Sequence, residues 1–315
     1  MADASVRGRF VWHELMTTDT KSAGNFFTKI VGWKTQASPQ DPNYTVFVTT
    51  RPMAGLMVVP REAAAMGAGP SWMTYIGSPN VDETARQATS LGGKTLRAPE
   101  DIPTVGRFAV LADPQGAVFA VFTPVAGQQL GPAPAVGDFS WHELVTTDWR
   151  SALTFYQRLF GWEETSAMDM GPEMGTYQMF GLNGKTLGGM FNKTKQMPGP
   201  TAWLPYIHVP DSKKVVPLVK KLGGQVINGP MEVPGGDWIA QGLDLQGAMF
   251  AVHSLKPAPA KKAPAKRAPA KKAAKKTAKK AAKKAPTKIA KKTVKKKTAR
   301  KKPAGRKKKA PKRRR

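Results

Sequence analysis

The chain has 315 residues, a formal net charge of +29 and no cysteine. Without cysteine, disulfides, thiolate metal sites and a cysteine nucleophile are all excluded. Residues 256–315 hold 30 of the 50 Lys+Arg and no Asp or Glu, leaving 20 basic against 21 acidic residues, a net of −1, in residues 1–255.

A near-neutral globular body therefore carries a strongly basic tail. The N-terminus, MADASVRGRF, has no apolar signal-like stretch, and no run approaches the ~18 apolar residues of a membrane span. A cytoplasmic chain with no membrane partner is expected.

In chain order, FVWHELMTTDTKSAGNFFTKIVGW (10–33) returns as FSWHELVTTDWRSALTFYQRLFGW (139–162), with thirteen of 24 positions identical at an offset of 129. LGGKT (91–95) returns as LGGQV (222–226), and DPQGAVFAVF (113–122) as DLQGAMFAVH (244–253), both at an offset of 131. Two copies of one domain are expected, at 7–124 and 138–255, joined by a Pro/Gly/Ala-rich linker at 125–137. Within the second copy, a strand from Phe139 meets Asp148, a helix N-cap. Ala152, Phe155, Tyr156, Leu159 and Phe160 then follow helical spacing to Gly161 at the C-cap. Short apolar strands follow around 175–180 and 186–191. The order begins again with a strand at 203–209, a helix at 211–222, and strands near Gln225, Asp237 and Ala248. Each domain reads as two β-α-β-β-β modules, an α+β fold with helices on one face of a cupped sheet and the other face free to line a cavity.

The pattern F-x-W-x-E-L-x-T-x-D, the helix end G-W, the L-G-G turn and the closing strand D-x-x-G-x-x-F-A-V resemble the vicinal oxygen chelate superfamily, which includes glyoxalase I, bleomycin-resistance and extradiol dioxygenase proteins. The tandem arrangement is most similar to its glyoxalase-like "hydroxylase" branch. The resemblance implies a divalent metal in the cup, held by residues on first and closing strands. Carried onto this chain, those positions are Trp12 and Trp141, Met73 and Leu204, and Ala120 and Ala251, none of them a metal-binding residue type. No metal cofactor is expected on that basis.

Strand alternation bears on the repeated His-Glu pair. Trp12 and Glu14 share one face, as do Trp141 and Glu143, while His13 and His142 face the opposite way, under the helices. An alternative divalent-metal site remains in the second half, where Glu143, His208 and His253 share the cup face, displaced from the superfamily positions. Such a site would make the chain a lyase or dioxygenase. Glu143 is otherwise the candidate general base or ligand acceptor. The cup is expected to bind a small apolar or aromatic ligand through Trp12, Glu14, Tyr75, Trp141, Glu143 and Tyr206, with Met53, Met57, Met168, Met170, Met174 and Met190 nearby. Bleomycin-resistance members bind a drug without catalysis, which is the resemblance's precedent for such a role. No G-x-S-x-G, phosphate loop or H-E-x-x-H is present.

The tail, KPAPAKKAPAKRAPAKKAAKKTAKKAAKKAPTK and onward, resembles the Lys/Ala/Pro-rich tails of linker histones. It is expected to be disordered when free and to bind duplex DNA non-specifically. Lys271, Lys272, Lys275, Lys276, Lys279, Lys280, Lys283 and Lys284 form its regular core, with Arg313, Arg314 and Arg315 at the end. Nucleoid association follows from that reading, and an architectural nucleoid protein is its third variant. Tandem domains leave both a monomer and a homodimer open.

Overall fold

The computed structural model describes residues 4–125 and 135–256. The lysines at 271–284 and arginines at 313–315 that are expected to bind DNA lie outside the described residues.

The first half opens with β1 (Phe10–Thr17), α1 (Thr20–Val31), β2 (Lys34–Ala37), β3 (Thr45–Val48) and β4 (Pro52–Val58). After the short helix α2 (Arg61–Ala65) come β5 (Ser71–Gly77), α3 (Val81–Ser90), β6 (Lys94–Ile102), β7 (Gly106–Ala112) and β8 (Val118–Pro124). The second half repeats the plan with β9 (Phe139–Thr146), α4 (Trp149–Phe160), β10 (Glu163–Asp169), β11 (Thr176–Leu182) and β12 (Lys185–Asn192). It closes with β13 (Ala202–His208), α5 (Ser212–Lys221), β14 (Gln225–Glu232), β15 (Trp238–Leu243) and β16 (Met249–Ser254).

Each half forms one eight-stranded mixed sheet, in the orders β2-β3-β4-β1-β5-β8-β7-β6 and β10-β11-β12-β9-β13-β16-β15-β14. The two modules of a half join where their first strands pair antiparallel, Trp12 opposite Tyr75 and Trp141 opposite Tyr206. Both halves are α+β, each made of two β-α-β-β-β modules.

The long helices start and stop where the sequence says they should. Asp19 and Asp148 adopt extended backbone and accept hydrogen bonds from first-turn N–H groups, and Asn80 and Asp211 do the same for α3 and α5. Gly32 and Gly161 end α1 and α4 with φ of 88° and 77°, a left-handed geometry that costs glycine least.

The helix-bearing faces of the two halves pack on each other. One apolar cluster joins Val81, Ala85 and Ala88 of α3 to Leu153, Tyr156 and Phe160 of α4. The other joins Phe26, Phe27 and Ile30 of α1 to Val215 and Val219 of α5. Each module thus shares its core with a module of the other half, and the described residues of both halves belong to one compact unit.

His13 and His142 lie inside this shared core. Their Nε2 atoms are 2.8 Å apart, and each ring stacks on a phenylalanine of the opposite half, His13 on Phe139 and His142 on Phe10. Burial lowers both basicities, that of His142 to about 3, so the pair is neutral near pH 7. His142 Nδ1–H donates to the Leu187 carbonyl at 3.3 Å. Its Nε2 is therefore the acceptor, and His13 supplies the shared proton.

Two features differ from the expectations. The edge strand β10, Glu163–Asp169, is exposed along most of its length, so it has no apolar alternation to reveal it. Met53 and Met190 belong to the clusters between the halves and not to the cup.

Candidate functional site

On the face away from the helices, each half buries one glutamate among tyrosines. In the second half Tyr206 donates to Glu143 Oε1 at 3.0 Å and Tyr177 to Oε2 at 3.1 Å. Trp141 Nε1–H donates to the Tyr177 hydroxyl at 2.8 Å. Gln241 Nε2–H reaches the Tyr206 hydroxyl at 2.6 Å and Glu143 Oε1 at 3.3 Å. Glu143 is 8% exposed and Tyr206 2%, so these bonds take the place of water. Burial raises the Glu143 carboxyl above its ordinary range, against the lowering effect of its three donors. A buried carboxylate holds its charge only at a cost, which poises this one to accept a proton or a hydrogen bond from a bound hydroxyl.

The first half builds the same group. Tyr75 donates to Glu14 Oε1 at 3.1 Å, Tyr44 also bonds Glu14, and Trp12 Nε1–H donates to the Tyr44 hydroxyl at 3.0 Å. Burial again raises the carboxyl, and Arg97 partly offsets it. Burial and the adjacent glutamate push the phenols of Tyr44, Tyr75, Tyr177 and Tyr206 up, so they remain donors.

Strand register explains the grouping. Glu14 sits opposite Met73 on β5 and Gly55 on β4, and Glu143 opposite Leu204 and Gly189. Those two glycines are what let the outer tyrosines reach the carboxylates. A Cβ at Gly55 would fall inside the Tyr44 phenol, and one at Gly189 inside that of Tyr177.

All six residues expected in the cups, Trp12, Glu14, Tyr75, Trp141, Glu143 and Tyr206, therefore lie in these two clusters. Sequence reasoning missed Tyr44, Tyr177 and Gln241. Tyr44 and Tyr177 do correspond, at an offset of 133, but they lie in the weakly matching middle of the repeat, where no motif marks them.

The rest of each cup differs. In the first, Met16, Met73, Tyr75, Phe108, Ala120 and Phe122 form a buried apolar cluster. In the second the corresponding cluster is only Leu204, Tyr206 and Ala251, with Trp141 and Ile239 partly buried against it. Met57 packs at the first cup, while Met170 is exposed.

His208 and His253 sit side by side at one end of the second cup, ring centroids 6.0 Å apart. His253 bonds Asp237 and Ser140, and Glu143 bonds its own tyrosines. Among the described residues no group of three or more His, Asp or Glu is placed to hold a metal ion.

The profile of the glyoxalase-like domain family matches residues 12–122. A Mycobacterium tuberculosis protein named "Putative glyoxylase CFP32" is 31% identical over 254 residues, covering 79% of this chain and 94% of its own. The anthracycline biosynthesis protein DauV of Streptomyces sp. (strain C5) is 28% identical, covering 80% and 94%.

Among solved structures, the Arthrobacter globiformis homoprotocatechuate 2,3-dioxygenase superposes with a TM-score of 0.56 at 14% identity, covering 80% of this chain and 81% of that one. The Mn(II)-bound glyoxalase of Novosphingobium aromaticivorans gives 0.52 at 14% identity, covering 79% and 82%. At that identity the likeness speaks for the fold alone. With the matched domain profile and a relative alike along nearly its whole length, the chain belongs to the glyoxalase-like family of the vicinal oxygen chelate superfamily.

Proposed function

We propose that this chain is a small-molecule-binding member of its family, which takes a planar, hydroxyl-bearing aromatic ligand in the second cup. One observation carries the reading: the same Trp–Tyr–Glu–Tyr group is built in both cups. A buried carboxylate is expensive, and packing alone does not need two of them. The second cup is favoured because its apolar cluster is the smaller and Gln241 adds a polar contact. Trp141 offers a stacking face, and Glu143 an acceptor for an acidic hydroxyl. Two relatives named for anthracycline biosynthesis, DauV and DnrV, point to the same ligand class.

The residues at the superfamily's ligand positions do not fit a divalent metal. Trp141, Leu204 and Ala251 offer no metal-binding donor atom. A lyase or dioxygenase reading through Glu143, His208 and His253 would need those side chains to rearrange, since His253 is bonded to Asp237 and Ser140.

Residues 256–315 complete the reading as a non-specific tether to duplex DNA, supported by their 30 Lys+Arg and absence of acidic residues. With ~10 phosphates neutralised, log K should fall against log[salt] with a slope near −9. A slope near zero, or equal DNA affinity after removal of these residues, would refute the tether. For the cup, equilibrium dialysis of the chain against an anthracycline aglycone should give saturable binding, weakened about tenfold or more by Glu143→Gln, the loss of one charge-assisted hydrogen bond. Equal binding by the variant would reject the site.

A further inference from the structure

At five positions the second cup is polar where the first is apolar or glycine. Where the first half carries Val11, Gly77, Gly106, Val110 and Phe122, the second carries Ser140, His208, Asp237, Gln241 and His253. Both halves fold alike, so the polar set is not demanded by the sheet. Gln241 belongs to the Glu143 cluster, whereas the other four gather at one end of the cup.

There, His253 Nε2 lies 3.1 Å from Asp237 Oδ2, and His253 Nδ1 lies 2.9 Å from Ser140 Oγ. A carboxylate only accepts, so His253 Nε2–H donates to Asp237, which leaves the Nδ1 lone pair facing the serine hydroxyl. Asp237 is held in turn by the backbone N–H of Lys256, 2.7 Å from Oδ1. Ser140 sits where the register of β9 against β13 shifts, between the pairs Trp141–Tyr206 and Phe139–Ile207. Such an irregularity re-aims a side chain, and Ser140 stays partly exposed.

We propose that Ser140, His253 and Asp237 form a second, nucleophilic site that acts on small activated carboxylic esters. Ser140 Oγ attacks the ester carbonyl carbon while its proton passes to His253 Nδ1. The carbon–oxygen bond to the alcohol breaks, and His253 returns the proton to the departing oxygen. Water then attacks the acyl-serine by the same route, releasing the acid and restoring the hydroxyl. Ser140 and His253 are the catalytic residues. Asp237 is a positioning residue that fixes the imidazole tautomer.

The full chain is incubated with a fluorophosphonate, which phosphonylates activated serines and spares the lysines of the tail, and adducts are mapped by peptide mass spectrometry. One adduct per chain, on Ser140, is expected. Ser140→Val and His253→Phe install the residues with which the first half already folds, Val11 and Phe122. Ser140→Val should abolish the adduct, and His253→Phe should slow labelling by about 100-fold, the low end for loss of a general base. Asp237→Asn should slow labelling without lowering the final yield. Turnover of 4-nitrophenyl acetate beyond the acylation of lysine amines should vanish in Ser140→Val and fall in the other two variants. An unlabelled Ser140, in a tube where chymotrypsin is fully modified, overturns the proposal. Equal labelling rates for wild type and His253→Phe would do so as well.

Discussion

The histidine pair between the halves makes a quantitative demand on stability. His142→Phe removes the acceptor from His13 Nε2–H, 2.8 Å away and buried. An orphaned buried donor costs about 1–3 kcal/mol. In His13→Phe/His142→Phe both partners become apolar, and the two larger rings must part from a 2.8 Å contact, an overpacking cost of about 1–3 kcal/mol at pH 7, but no buried imidazole is left to titrate.

Acid separates them further. His142 binds its proton at about 3 in the folded chain against 6.5 as the ordinary value. The stability tied to its neutral form is complete above 6.5 and is lost as pH falls toward 3. At pH 4.5 the unfolded chain has gained two powers of ten in proton binding, about 2.7 kcal/mol at 1.36 kcal/mol each. His13 acts in the same direction. The raised carboxyls of Glu14 and Glu143 oppose it, because they favour the folded chain as pH falls, but they are common to both proteins. Urea unfolding followed by tryptophan fluorescence at pH 7 and pH 4.5 should therefore show wild type losing roughly 3 kcal/mol or more beyond the double variant. Equal losses would refute the neutral, proton-sharing pair.

Further outcomes follow from the cups. Gly189→Ala places a methyl inside the Tyr177 ring and should cost about 1–3 kcal/mol by overpacking while abolishing ligand binding. Gly55→Ala does the equivalent to Tyr44 and should leave binding in the second cup intact, so calorimetry on both variants tells which cup is used. Tyr206→Phe strips one donor from Glu143 and should lower stability by about 1–2 kcal/mol, read from the denaturation midpoint. Chain incubated with Mn(II) and desalted should retain no stoichiometric metal, and one ion per chain lost on His253→Phe would instead restore the displaced-site reading.

The repeat made most of the fold legible. Its strongest stretches mark the first strand, the capped helix and the closing strand of each domain, because strand alternation, N-caps and glycine C-caps leave local signatures. Alternation also placed Glu14 and Glu143 in the cups and turned His13 and His142 away from them. What lay beyond reach was long-range. That the two histidines meet depends on the halves packing face to face, which no local pattern encodes. Tyr44, just before β3, and Tyr177, on β11, reach glutamates 30 and 34 residues earlier in the chain, and that reach rests on Gly55 and Gly189 leaving room. Met53 was misread because the register slips between β3 and β4 beside Val48 and Pro52, which ends simple alternation. Met190 pairs with Leu144 and shares its inward face.

The most direct test of the binding reading is a tryptophan-emission titration of the full chain with an anthracycline aglycone, comparing wild type, Glu143→Gln and Trp141→Phe. Saturable quenching that weakens about tenfold or more in Glu143→Gln and loses most of its amplitude in Trp141→Phe is expected. Unsaturable quenching, or the same affinity in wild type and Glu143→Gln, would contradict a ligand held over the Glu143 cluster.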